Sequence, residues 1–173
     1  MEKELEKHNK KQRFSRVLPI WKFILLSLIT TGIYEFIWFY RHWKLLKEEK
    51  GLDIYPFWRV FFAPLLAGSI TKYLKNFLAE KNVSKELLTS CNPKLIGITY
   101  FILSILWRLP DPYWLISFFT FIPMLPLIKA TNAYWEKEDK HLPSKKFTWW
   151  QIVLISIGIF WLIISTIGTF MPE

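Results

Sequence analysis

The charged residues of this chain are sorted into blocks, and that segregation constrains its folding more than any other feature. Residues 18–40, 55–71, 95–128 and 148–170 make up 97 of the 173 positions and carry five charges: Lys22, Glu35, Arg59, Arg108 and Asp111. The other 76 residues carry the remaining 32 charges. A surface element of a water-soluble domain interleaves polar and apolar positions at helix or strand period, so that one face stays wet. Separation into blocks is the pattern of a chain that meets two solvents. It argues against a soluble enzyme, a disordered tail and a secreted scaffold. The single cysteine, Cys91, rules out an intramolecular disulfide and a thiolate metal cage. His8, His42 and His141 are scattered through polar segments without metal-ligand spacing and read as surface residues. No cofactor or metal is expected.

The net charge is +9. The basic residues flank the apolar blocks, where Lys and Arg hold the cytoplasmic side of a bilayer against anionic headgroups. Lipid headgroups at the basic segments are therefore the expected partners, together with a second copy or another membrane protein, and nucleic acid is not. Residues 1–17, MEKELEKHNKKQRFSRV, are too long and too acidic for the start of a signal peptide, and no small-residue cleavage site follows. They read as a basic cytoplasmic segment ahead of one transmembrane helical domain, residues 18–170.

Residues 148–170 form the cleanest block, an uncharged stretch of 23 residues that would reach about 35 Å as a helix against roughly 30 Å of hydrocarbon. Trp149 and Trp150 open it as interfacial anchors. The block 18–40 is equally long, with Lys22 able to snorkel to the interface. Thr31 and Gly32 weaken its middle, because Gly and β-branched Thr are poor helix formers. A kinked span and a re-entrant hairpin turning there are both open. In 55–71, Pro64 predicts a second kink. Beyond it Ile70, Tyr73, Leu74, Phe77 and Leu78 fall at helical spacing, which predicts either an amphipathic extension lying at the membrane interface or a packed cytoplasmic helix. The long block divides at Arg108-Leu109-Pro110-Asp111-Pro112 into arms 95–107 and 113–128, a hairpin of two short helices. The expected fold is all-α: a polytopic membrane bundle of four or five apolar segments, some kinked or re-entrant, plus one interfacial helix.

Lys and Arg number six in residues 1–17, four in 41–54, five in 72–94 and five in 129–147, with one in the turn at 108–112. Five crossings would put the first, third and fourth of these groups in the cytoplasm and leave 41–54 as the one violation of the positive-inside rule. A re-entrant first block would bring 41–54 inside but leave the second block without parity. Glu35 lies six residues before Arg41, and Arg59 five residues after Ile54. At 1.5 Å per residue both would sit about 8–9 Å inside the same boundary. The expectation is an intramembrane ion pair, either a clamp between helices or a site for a proton, an ion or an anionic headgroup, with snorkelling of the two side chains without pairing as the alternative.

Ser27-Leu28-Ile29-Thr30-Thr31-Gly32-Ile33-Tyr34-Glu35, then Trp38-Phe39-Tyr40 with Trp43-Lys44, then Pro56-Phe57-Trp58-Arg59 and Phe61-Phe62-Ala63-Pro64, carry a resemblance. Over residues 20–70 the chain resembles a bacterial multi-pass inner-membrane family with the signature S-x-x-T-x-G-I-Y-E, W-F-Y-x-x-W-K and P-F-W-R-x-F-F-A-P, a domain of unknown function. The resemblance implies a bacterial cytoplasmic-membrane protein, and the family has no established activity to carry over. Phe36-Ile37 and Tyr55 depart from that pattern.

No Ser/His/Asp grouping, H-E-x-x-H, paired Asp motif or phosphate-binding Gly loop occurs. The functional expectation is a non-enzymatic membrane component that scaffolds or modulates a partner. The alternatives are a small oligomeric transporter or channel subunit using Glu35 and Arg59, and a membrane-shaping hairpin protein, which needs both ends of the early blocks on one side.

Overall fold

A computed structural model describes residues 17–138 and 147–170, so most of the basic N-terminal segment lies outside the described residues. Among the described residues there is no strand. Eight α-helices follow one another: α1 (Ile20–Ile29), α2 (Ile33–Lys50), α3 (Pro56–Phe61), α4 (Ala63–Glu80), α5 (Lys85–Ser90), α6 (Pro93–Ile105), α7 (Leu125–Glu138) and α8 (Trp149–Phe170). Two 3₁₀ segments, Leu106–Arg108 and Tyr113–Met124, stand between α6 and α7. The expected all-α class is therefore present. One continuous helical run, Tyr113–Glu138, is long and apolar enough to cross a membrane, whereas Ile20–Ile29 and Trp149–Ile164 are apolar but shorter.

The first block is a hairpin. The Phe23 ring lies 6.0 Å from that of Tyr34 and 6.5 Å from that of Trp38. In a straight or gently kinked helix, Phe23 and Trp38 would stand about 22 Å apart, so the kinked-span reading fails. The reversal is built from backbone. Thr31 takes φ 49° and Gly32 φ 88°. Gly32 N–H donates to the Ser27 carbonyl (2.9 Å) and Thr31 N–H to that of Leu28 (3.2 Å). This is the paired bonding of a helix stop with left-handed residues after it. The Thr30 hydroxyl then ties both arms, donating to the Leu26 carbonyl (2.7 Å) and accepting from Tyr34 N–H (3.0 Å). Beyond the turn, α2 does not stop at the polar boundary near Arg41. It runs to Lys50, with Lys47 and Lys50 in its last turn and Gly51 at φ 61° as its stop.

The second block also doubles back. α3 ends at Phe61 and α4 starts at Ala63, with Phe62 capping both and Pro64 in the first turn of α4, where proline costs no hydrogen bond. Pro64 thus opens a new helix after a break and does not kink a continuous one. The apolar stripe beyond it is a packed face. Ile70, Leu74, Phe77 and Leu78 are buried, and Phe77 meets Tyr134 of α7 edge-on at 5.4 Å. Of the two placements open for this stripe, the packed helix is the one found, because α7 supplies the apolar partner that lipid would supply to an interfacial helix.

Four polar segments meet in one layer. Lys50 pairs with Glu80, and Lys81 Nζ approaches Glu49 at 4.0 Å. Lys137 donates to the Asn82 carbonyl (3.0 Å), while Asn132 accepts from Leu18 N–H (3.1 Å) and donates to its carbonyl (2.7 Å). The pairing of Lys50 with Glu80 puts both flanks of the second block at the same level. Away from this layer the chain turns at 30–32, at 62 and at 106–112.

Two close approaches fix the helices against one another. Gly68 of α4 and Gly97 of α6 meet backbone to backbone, and a Cβ on Gly97 would lie 2.9 Å from the Gly68 Cα. A Cβ on Gly158 of α8 would lie 2.2 Å from the Ile29 carbonyl oxygen at the end of α1. Gly158→Ala and Gly97→Ala should each destabilise the chain by about 1–3 kcal/mol through overpacking. Gly51→Ala meets nothing within 4 Å and should cost about 1 kcal/mol, from its backbone conformation alone. Thermal unfolding of the purified variants checks the contrast, and equal losses at all three positions would refute the two contacts.

Candidate functional site

Residues from the two ends of the chain converge where the first hairpin, α7 and the start of α8 reach the polar layer. They enclose a cleft of about 60 Å³, lined by Lys22, Tyr34, Arg41, His42, Asn132, Thr148, Trp150 and Gln151, with Val17, Leu18, Ile37, Trp38, Leu45, Thr131 and Trp135 behind them. That volume is enough for a few waters or a small polar group. Each lining group is placed by local structure. α1 carries Lys22 back beside α2, whose successive turns present Tyr34, Trp38 and His42. Thr148 precedes α8 and Gln151 lies in its first turn. The Gln151 side chain accepts from Thr148 N–H (3.0 Å) and donates to the Tyr34 hydroxyl (3.3 Å). The Thr148 hydroxyl is buried with no hydrogen-bond partner among the described residues.

Cations rest on aromatic faces here. Lys22 is 4% exposed, with its ammonium 4.8 Å from the Phe147 ring centre. The Arg41 guanidinium lies 5.1 Å from the Trp150 ring, which itself stacks on Tyr34 at 6.1 Å. Lys22 is therefore a buried cleft residue and not an outward-snorkelling anchor. The two tryptophans divide: Trp149 is exposed, whereas Trp150 packs inward.

His42 is not a simple surface histidine. Its ring stacks on Trp38 at 3.8 Å, and Nδ1–H donates to the Trp38 carbonyl (2.8 Å). Burial pushes its pKa down to about 4, the Trp38 carbonyl opposes this, and Arg41 adds to the lowering. At neutral pH the ring is uncharged, with Nε2 free to accept a proton or a hydrogen bond.

The expected pairing of Glu35 with Arg59 does not form. Glu35 is 1% exposed; its Oε1 accepts from the Thr120 hydroxyl (3.0 Å) of the 3₁₀ segment, and the buried Tyr100 hydroxyl of α6 is the second side-chain donor to the carboxyl. Arg59 lies over the Trp43 ring at 4.5 Å. Trp43 is eight residues further along α2 than Glu35, about 12 Å along the axis. The depth estimate erred because it ended the helix near Tyr40. With α2 running to Lys50, Glu35 lies fifteen residues from the helix end and close to the hairpin turn. Thr31 and Gly32 form that turn, and Pro64 stands apart from it at the start of α4.

Sequence reasoning passed over Arg41, Asn132, Thr148 and Gln151. The Thr148-x-x-Gln151 spacing is a readable helix-start signal. Nothing local marks Asn132 or Arg41, whose roles depend on which segments meet. Among the described residues no cluster of three or more His, Cys, Asp or Glu could hold a metal ion. No family model, no curated protein and no solved structure matches this chain.

Substitutions at Glu35 and Arg59 should therefore act independently. Their unfolding free energies should add to within about 0.5 kcal/mol in a double-mutant cycle, and the charge swap Glu35→Arg with Arg59→Glu should not restore accumulation. Restoration by the swap would reinstate the ion pair. For His42, the folded chain keeps neutral a ring that the unfolded chain protonates. Stability should be full above about pH 6.5 and fall as pH drops towards 4. His42→Gln should flatten that limb of the pH–stability curve.

Proposed function

We propose that this chain is a non-enzymatic integral membrane component whose charged segments all face the cytoplasm. Two re-entrant hairpins, the blocks 18–40 and 55–71, dip into the bilayer and return. The arms 95–107 and 113–128 cross it, as does α8. The observation that carries this reading is the pairing of Lys50 with Glu80. These residues bracket the second block, and contact between its two flanks supports a block that returns to the side it left. The same arrangement places twenty of the 23 Lys and Arg residues on one side and removes the violation at 41–54.

The exposed surface supports a bilayer as the surrounding solvent. Phe57, Trp58, Phe61 and Leu65 are each about 60–67% exposed on α3 and α4, and Phe160, Trp161 and Ile163 on α8 are exposed as well. Exposed apolar surface on this scale marks contact with lipid or a partner. Trp107 and Tyr113 flank the distal turn as interfacial aromatics, and the Trp114 indole N–H donates to Asp111 within it. In the bacterial inner membrane implied by the resemblance, the basic layer would rest on anionic headgroups.

Impermeant-maleimide labelling in a Cys91→Ala background tests the topology. Glu48→Cys and Glu86→Cys should react from one side and Pro110→Cys from the other. Labelling of Glu48→Cys from the Pro110→Cys side would overturn the proposal.

A further inference from the structure

Beside the Gly68–Gly97 crossing, α4 and α6 leave an open apolar groove of about 470 Å³, a volume typical of ligand-holding clefts, which span roughly 300–1,000 Å³. Leu65, Ile98 and Phe101 form its walls, with Leu65 66% and Ile98 60% exposed. Lys72, one turn from Gly68, and Lys94, three residues before Gly97, both line it, on the side of the glycine crossing from which α6 starts and towards which α4 runs. From Lys72, α4 continues two turns to Glu80 in the charged layer. The lysines therefore mark the end nearer that layer, and Phe101 the end deeper in the apolar phase. Both ammonium groups are exposed, and neither forms an ion pair among the described residues.

Two cations at the mouth of a hydrocarbon slot are complementary to one kind of molecule. We propose that this groove seats an anionic phospholipid, its phosphate between Lys72 and Lys94 and one acyl chain along Leu65, Ile98 and Phe101. The inference rests on the membrane reading above and adds a defined lipid site to it. Charge selects the headgroup: a phosphodiester without a compensating amine keeps its full attraction to both lysines, whereas a choline headgroup brings a cation against them.

Native mass spectrometry of the full chain in detergent, titrated with phosphatidylglycerol or phosphatidylcholine, tests the site. The wild type should retain one phosphatidylglycerol in preference to phosphatidylcholine. Lys72→Gln with Lys94→Gln should weaken phosphatidylglycerol binding about thirtyfold, from about 1 kcal/mol for each lysine. Ser69→Phe, which fills the groove, should weaken both lipids. Lys85→Gln with Lys129→Gln removes the same charge elsewhere in the layer and should leave binding unchanged. An equal loss from this control pair would reduce the effect to general electrostatics. Unchanged binding in Ser69→Phe, or full competition by soluble glycerol phosphate, would overturn the lipid seat in favour of a bare phosphate contact. Carbonate washing of membranes separates the two proposals. Release of the wild type refutes the membrane reading, whereas retention of all variants without lipid preference refutes the groove alone.

Discussion

The reversal at Thr30, Thr31 and Gly32 is the constraint on which the rest of the structure depends. One hydroxyl, on Thr30, closes the last turn of α1 and opens the first turn of α2. Two positive-φ residues make the turn tight enough for Phe23 to reach Tyr34 and Trp38. Without that fold-back Lys22 would be remote from Arg41, and the cleft would lack one wall. The turn also sets the far end of α2. Once the helix begins at Ile33, its remaining length carries Lys50 to Glu80 and brings the flanks of the next block together.

The apolar phase carries its own polar content at the same place. Ser27, Thr30, Glu35 and Thr120 are all buried around the hairpin, and among the described residues Ser27 Oγ has no hydrogen-bond partner. Groups of this kind cost free energy wherever water is excluded. They sit beside a turn whose backbone bonds are otherwise complete. The carboxylate also lies in the first turn of α2, where the helix dipole favours negative charge. Its environment is thus formed by α2, the 3₁₀ segment and the buried Tyr100 of α6, with no contribution from the cation that the linear sequence placed at the same depth.

Much of the architecture was legible in the residues. The block boundaries locate the apolar elements, Thr31-Gly32 marks the weak point in the first, and Arg108 to Pro112 marks the distal turn. The length of α2 was not legible, because charges at Arg41, Lys44 and Lys47 end an apolar block without ending a helix. Helix continuation is decided by backbone propensity and packing, and Trp43, Leu45 and Leu46 bury a face across the charged stretch. The position of Arg59 followed from that error. The face formed by Ile70 to Leu78 was visible by its spacing, but spacing cannot distinguish lipid from protein as the solvent for that face. The cleft was invisible for a related reason, since its residues come from segments more than a hundred positions apart.

The gathering of charge into one layer also bears on how such a chain is assembled. In a topology with both early blocks re-entrant, the polar segments between residues 41 and 94 never leave the compartment in which they are made. Within the arms and turns that must move, Arg108 and Asp111 are the charged side chains that have to pass the hydrocarbon, at about 2.5–3.5 kcal/mol each on insertion scales. They travel as neighbours in one short turn, with opposite signs and with Asp111 hydrogen-bonded to an indole. Insertion then amounts to driving one nearly neutral hairpin and one uncharged helix, with Glu173 behind it, across the bilayer, while the rest of the molecule folds against them from the side on which it started.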